Sequence, residues 1–233
     1  MKILFTKKLD KNMVSKSLGS HVSFDTLQVI YIKPLQKETF DLKNKSLIFS
    51  SVNAVECFFE NEFKPSENLL DENSNKIYAV GLKTKKLLRE NGFGTFKVAK
   101  HASELSDFII KNCAKEKFLH FCGNLALDVL DKTLPLQNIW YKKVVVYETE
   151  LLNPKVEEKY DAVCFFSPSG VRSFAKFNSL DGMKLFSIGE TTEKELKKFT
   201  KNKIITSKES NLDDLLKLIK AESEKHNAKS KNL

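Results

Sequence analysis

Apolar and polar positions along this chain follow two rhythms that take turns. Short runs of apolar, β-branched and aromatic residues have the length of buried strands. Between them, apolar residues recur at three- and four-residue spacing, as on helices with one buried face. Residues 2–6 read as the first strand, and residues 10–18 as a helix stopped by Gly19. Residues 21–32 read as extended, with Pro34 at a crossing point. A strand over 46–50 leads into a helix over 53–63 with Val55, Phe58 and Phe59 on its inner face, then a polar loop over 64–75. A strand over 76–80 precedes a helix that ends at Asn91-Gly92, and a strand over 95–99 precedes a helix capped by Ser103. Leu105, Phe108, Ile109 and Cys113 hold that helix's apolar spacing. A strand over 117–121 halts at Cys122-Gly123-Asn124, and Leu125, Val129, Leu130 and Leu134 form the stripe of the next helix. Residues 139–148 make a long strand-like run.

The second half repeats this grammar. Asn153-Pro154 predicts a short helix by its cap-then-proline pattern. Strands are predicted over 161–167, 184–188 and 203–206, and Thr192 with Glu195 forms a capping box. Ser210 caps a last helix with Leu212, Leu215, Leu216 and Ile219 facing inward, and residues 222–233 read as a disordered tail. Strand and helix alternate throughout, which predicts an α/β fold of parallel sheets flanked by helices. The two extended runs, around 30–35 and 144–150, divide the strands into halves. The expected organisation is two domains, one from residues 1–33 and 150–233 and one inserted between them from 36–147. A two-stranded antiparallel hinge would join them, with both repeats facing a common cleft.

One pattern occurs twice. Leu47-Ile48-Phe49-Ser50-Ser51 and Val163-Cys164-Phe165-Phe166-Ser167 are apolar runs that stop at Phe-Ser and pass into helical spacing. After each comes a second run that stops at Gly with Thr three residues on: Gly81 with Thr84, and Gly189 with Thr192. Strands that open directly onto helix amino termini present backbone N–H groups and the positive end of the helix dipole, which suits anionic ligands. In open parallel sheets, ligands bind beyond the carboxyl ends of the strands. The edge residues so placed are Ser51, Asn53, Gly81, Thr84, Gly123, Asn124, Ser167, Ser169, Gly170, Gly189, Thr191 and Thr192.

Composition narrows the partner. The 233 residues carry a formal net charge of +9, which admits a polyanionic partner. The lysines are spread over helix faces without the basic-aromatic clustering that grips single strands, so nucleic acid is not expected. No apolar run approaches a membrane span or a signal-peptide core. Cys57, Cys113, Cys122 and Cys164 stand singly in apolar patterns and read as buried free thiols of a cytoplasmic protein, not metal ligands. Dinucleotide, phosphate-loop and nucleophile-elbow motifs are absent, and His21, His101, His120 and His226 are scattered, His120 within a strand as a core residue. An enzyme with this inventory acts mainly by holding a reactive substrate in shape, with one proton donor at most.

Six motifs in order carry a family resemblance: Phe49 to Val55, Val80 to Thr84, Cys122 to Leu125, Val146 to Thr149, Phe165 to Gly170, and Ile188 to Thr192. In this order and spacing the chain resembles uroporphyrinogen-III synthase over nearly its whole length. The resemblance implies two α/β domains joined by a two-stranded ribbon. It implies a cytoplasmic, cofactor-free lyase that cyclises hydroxymethylbilane, a tetrapyrrole with eight carboxylates, losing water and inverting the last pyrrole. A monomer is expected, with transient hand-over from the preceding enzyme. Tyr147 is implied as the proton donor to the leaving hydroxyl, and Thr192 as a contact of the substrate. Departures from the family pattern fall at Glu190, where many members have Pro, at Cys122-Gly123-Asn124, where bacterial members often have Arg-Gly-Asp, and at Lys7, where many have Arg. Two other readings stay open at this point: a non-catalytic binding protein for a polyanionic small molecule, and a basic nucleic-acid-binding module.

Overall fold

The structure, a computed structural model, describes residues 1–19, 22–66 and 74–230, with side chains described to 225. His21 and most of the predicted loop over 64–75 lie outside the described residues. The chain opens with β1 (Lys2–Phe5), α1 (Lys11–Leu18), β2 (Ser23–Thr26) and β3 (Ile30–Pro34). Next come β4 (Ser46–Phe49), α2 (Val52–Glu60), β5 (Ile77–Val80), α3 (Leu82–Glu90), β6 (Lys97–Ala99) and α4 (Ala102–Asn112). β7 (Phe118–Gly123), α5 (Val129–Leu136) and β8 (Tyr141–Leu151) complete the middle of the chain. β9 (Ala162–Phe165), α6 (Pro168–Ala175), β10 (Lys184–Ser187), α7 (Glu190–Leu196), β11 (Ile204–Thr206) and α8 (Leu212–Ser230) close it.

The chain divides into two compact units, Met1–Tyr31 with Glu150–Leu233, and Ile32–Thr149. In the first, strands run in the order β11-β10-β9-β1-β2, all pairs parallel. The period-two alternation of a strand buried on both faces is visible in β1. Ile3 and Phe5 pack with Val14, Leu215, Leu216 and Ile219 against α1 and α8. Leu4, between them, joins Val163, Phe165, Val171, Phe174 and Leu196 on the face covered by α6 and α7.

The second unit's sheet has the order β3-β8-β7-β4-β5-β6, and the pairs from β8 to β6 are parallel. Leu47 and Phe49 face α2 and α3 among Val55, Phe58, Leu119 and Phe121. Ile48 faces the other way, toward Leu105, Ile109, Leu130 and Leu134 of α4 and α5. Phe49, Phe58, Phe63 and Phe121 form a ring cluster, with Phe58 and Phe121 centroids 4.6 Å apart. Each such buried side chain stabilises the unit by about 1.5–3 kcal/mol of apolar transfer, so the strand faces are fixed by the apolar pattern alone.

Several expectations about helix ends are corrected. Ser103 does not cap α4: His101 is the N-cap without a side-chain bond, and Glu104 reaches back to the Lys100 N–H at 2.9 Å. Leu125 is not on the α5 stripe, because the helix starts only at Val129 and leaves Leu125 44% exposed. Asn153-Pro154 opens no helix: Asn153 has φ 47°, the left-handed region, where an N-cap is extended. Thr192 lies inside α7 and not at its cap: the helix starts at Glu190 with Gly189 as a cap that has no side-chain bond, and Gly189 is held by the Ser187 hydroxyl through both its N–H and its carbonyl. Glu195 turns instead to Arg172 and Lys198. Asn211, not Ser210, caps α8 by accepting from the Asp214 N–H at 2.9 Å. The expected disordered tail from residue 222 is helical through Ser230. Alanine, glutamate and lysine favour the helix, Ser223 is buried and Glu222 pairs with Lys184 and Lys225.

Candidate active site

In a parallel sheet all carboxyl ends share one edge, so β4, β7 and β8 of the second unit deliver their following residues to the same place. Ser51, two residues beyond β4, is extended as the N-cap of α2, its Oγ accepting from the Ala54 N–H at 3.1 Å. The same Oγ lies 3.0 Å from the hydroxyl of Tyr147 on β8. β7 ends in a bulge at Cys122/Gly123 that sets Gly123 opposite Tyr147. A Cβ at Gly123 would fall 2.4 Å from Tyr147 Cε2, so only glycine lets the ring lie across this backbone. Asn124 pins β8 on the far side: its N–H donates to the Tyr147 carbonyl at 3.1 Å, and its Oδ1 accepts from the Thr149 N–H at 2.8 Å.

Tyr147 is 9% exposed. Burial pushes its phenol above the ordinary value, against the opposing pull of hydrogen bonds with Ser51 and Asn53. The hydroxyl is therefore protonated across the neutral range, and it sits at a strand edge beside a helix amino terminus. Ser51, Asn53, Gly123, Asn124 and Tyr147 thus form one constellation: a fixed phenol with hydrogen-bonding partners and a backbone platform. A profile of the family described as Uroporphyrinogen-III synthase HemD matches residues 26–217 of the chain.

The chain belongs to the uroporphyrinogen-III synthase family.

Members of this family are cofactor-independent cyclising lyases of tetrapyrrole biosynthesis. Among solved structures, the uroporphyrinogen-III synthetase of Helicobacter pylori is 24% identical. It matches over 94% of this chain and 98% of its own, with a TM-score of 0.64. A mutant uroporphyrinogen III synthase of the extremely thermophilic bacterium Thermus thermophilus is 15% identical, over 97% of this chain and 99% of its own, with a TM-score of 0.66. These likenesses show the shared fold. No curated protein sequence matches significantly.

The remaining synthase-motif residues are placed as follows. Gly81 directly follows β5 with φ 86° and caps α3 without a side chain, while Thr84 is 3% exposed and turned into the unit. In the first unit, Ser167 caps α6 through the Gly170 N–H at 3.0 Å and shares a bond with Ser169 at 3.1 Å. β10 runs beside β9, so Gly189, Thr191 and Thr192 end on the same edge as Ser167. Thr191 is exposed there, whereas Thr192 is 1% exposed. Glu190 is exposed.

Sequence reasoning passed over two features. The first turn of α3 has no acidic residue, and Lys83 and Lys85 stand exposed in it. Cations at a helix amino terminus oppose the dipole, and here two of them stand just after Gly81. The second is His120, buried at 2% exposure as expected of a core residue, yet bonded through both ring nitrogens. Nδ1 lies 2.7 Å from the Tyr141 hydroxyl and Nε2 2.8 Å from Ser50 Oγ. Burial holds its pKa down at about 4, with Lys143 adding to that and Asp131 opposing it. Among the described residues no group of His, Cys, Asp and Glu is arranged to hold a metal, and no helix is long and apolar enough to cross a membrane. All four cysteines are buried and unpaired, with Cys57 pushed up to about 11 and Cys122 to about 12 by burial.

Proposed function

We propose that Tyr147 is the proton donor to the leaving hydroxyl of hydroxymethylbilane, in the cyclisation to uroporphyrinogen III. The carrying observation is its phenol, 3.0 Å from Ser51 Oγ at the carboxyl edge of the sheet and laid across Gly123. Loss of hydroxide needs a proton, and a buried phenol above its ordinary pKa always carries one near neutral pH. The same shift makes it a weaker acid, which an electron-rich pyrrole tolerates because it expels the leaving group with little help. Ser51, Asn53, Gly123 and Asn124 surround the reacting end in this reading, and Lys83 and Lys85 draw carboxylates to the amino terminus of α3. Ser167, Ser169, Gly170, Gly189, Thr191 and Thr192 offer hydroxyls and backbone amides to further carboxylates. Each helix-end contact contributes about 0.3–1 kcal/mol, so a substrate with many carboxylates is held by their number.

The enzyme is proposed to act as a cytoplasmic monomer that takes its unstable substrate directly from the enzyme that makes it. The two chain crossings between the units are assigned a hinge role. Leu35 N–H donates to the Val146 carbonyl and Leu152 N–H to the Val29 carbonyl, a spacing that steps in opposite directions on the two segments, as in an antiparallel ribbon. The functional reading is tested by supplying freshly made hydroxymethylbilane and separating products. Ring closure without enzyme gives the type I isomer, so excess type III supports the reading and type I alone refutes it.

A further inference from the structure

Ser210 is left without a task by the helix it precedes, because Asn211 caps α8. Its backbone is nonetheless unusual: φ is 50°, in the left-handed region, where a side chain is strained and glycine is not. Its side chain lies on Gly189. A Cβ at Gly189 would fall 2.6 Å from Ser210 Oγ and 3.3 Å from Ser210 Cβ, so only glycine leaves room for the hydroxyl. Of the eight glycines in the chain, only Gly123 and Gly189 would bring a Cβ within 3.0 Å of another residue. Both stand at the carboxyl edge of a parallel sheet, Gly123 at the end of β7 and Gly189 two residues beyond β10. In each unit the covering hydroxyl comes from the next strand of the sheet or the loop after it. Tyr147 belongs to β8, and Ser210 stands four residues beyond β11. The loop that carries Ser210 is fixed at both ends. The Ser207 N–H continues the β10–β11 pairing by donating to the Ser187 carbonyl at 2.9 Å. The Asp214 carboxylate accepts from Ser207 Oγ at 2.8 Å and from the Lys208 N–H at 2.9 Å. Ser210 itself stays exposed. A glycine here would remove the strain, so a serine held at this φ is accounted for by what its side chain does.

We propose that Ser210 is a further substrate-binding residue, its hydroxyl donating to a carboxylate of the tetrapyrrole at the Gly189 edge of the first unit. The inference rests on the functional reading given above, which assigns Gly189 and Thr191 to carboxylates. Ser210 Oγ packs against the first of these and adds a side-chain donor where Gly189 has none. The charges beside it, Lys208 against Glu190 and Glu209, are exposed and opposed in sign. The contact is therefore carried by the placement of a neutral donor and not by net charge, and its loss should not depend on salt.

Two variants separate a binding role from a structural one. Ser210→Ala keeps the strained backbone and loses the hydroxyl, whereas Ser210→Gly loses both the hydroxyl and the strain. Affinity for uroporphyrinogen III, kept reduced, should fall about threefold to tenfold in both, the equivalent of one neutral hydrogen bond. The fall should be equal at low and high salt. The urea midpoint of Ser210→Gly should match or exceed that of the unaltered enzyme, because glycine accepts this φ without strain. Wild-type affinity in either variant overturns the proposal, and so does a loss that vanishes at high salt. A joint fall of affinity and urea midpoint in Ser210→Gly also overturns it, by making the hydroxyl a support for the loop. If the unaltered enzyme forms type III product while both variants bind normally, this inference alone fails. Failure to form type III product at all defeats the functional reading as well.

Discussion

Replacing His120 with glutamine should flatten the acid sensitivity of the second unit. The imidazole is buried among Tyr141, Ser50, Lys143, Asp131 and Cys122, and its pKa falls from 6.5 to about 4. A depressed value means that the folded state favours neutral imidazole. Its contribution is therefore complete above pH about 6.5 and is lost as pH falls toward 4, because the unfolded chain takes up the proton first. The whole shift corresponds to about 3 kcal/mol, of which about 2 kcal/mol is lost between pH 7 and pH 5. Glutamine does not titrate, can still accept from or donate to Ser50, and removes this slope while leaving that of the surrounding carboxylates. The assay is urea unfolding at pH 7, 6 and 5 followed by tryptophan fluorescence. Trp140, the single tryptophan, stands just before β8 and reports on the second unit. Wild-type stability minus variant stability should shrink by about 2 kcal/mol over that range. A difference that stays constant with pH would refute the reasoning about the buried ring.

Other outcomes follow from the same geometry. Gly123→Ala places a methyl 2.4 Å from the Tyr147 ring. It should destabilise the unit by about 1–3 kcal/mol and lower turnover with it, as measured by urea unfolding and product formation. Ser51→Ala and Ser167→Ala should each weaken product binding by about 1 kcal/mol, the usual value of a neutral hydrogen bond. Thr84→Ala, at a buried position, should instead lower stability with binding little changed. Titration calorimetry with product separates these, and silence of both serines while one Lys substitution abolished binding would contradict an edge of hydroxyls and amides.

The sheets were legible because their strands are buried on both faces. Runs such as 46–50 and 161–167 are too apolar to lie anywhere else, and the residues that follow them mark the carboxyl edge without any tertiary information. Ser51 and Gly123 were within reach for the same reason, since one follows and the other ends a parallel strand, whereas Tyr147 lies inside β8 and meets them only through the sheet register. Helix starts were less legible, because a cap is decided by which nearby oxygen reaches a free N–H. Ser103, Thr192 and Ser210 all have the right chemistry, yet α4 and α7 start after His101 and Gly189 with no side-chain cap, and Asn211 caps α8. The burial of Thr84 and Thr192 was hidden because the motif fixes their spacing from the strand but not the helix face on which they fall. The His120 network escaped because its members come from β4, β7, α5 and β8, and only the sheet register sets them side by side.

The central claim, that the Tyr147 phenol supplies the proton, is tested most directly by the rate of type III formation in Tyr147→Phe. Phenylalanine keeps the ring across Gly123 and removes only the hydroxyl that meets Ser51. A positioned general acid contributes about 10²–10⁴-fold, and a good leaving group lowers the demand on it. The account therefore predicts a loss of at least tenfold, near the low end of that range, with product affinity changed only by the single lost hydrogen bond. Type III formation at the wild-type rate in a folded Tyr147→Phe enzyme would contradict it and return Tyr147 to a packing role.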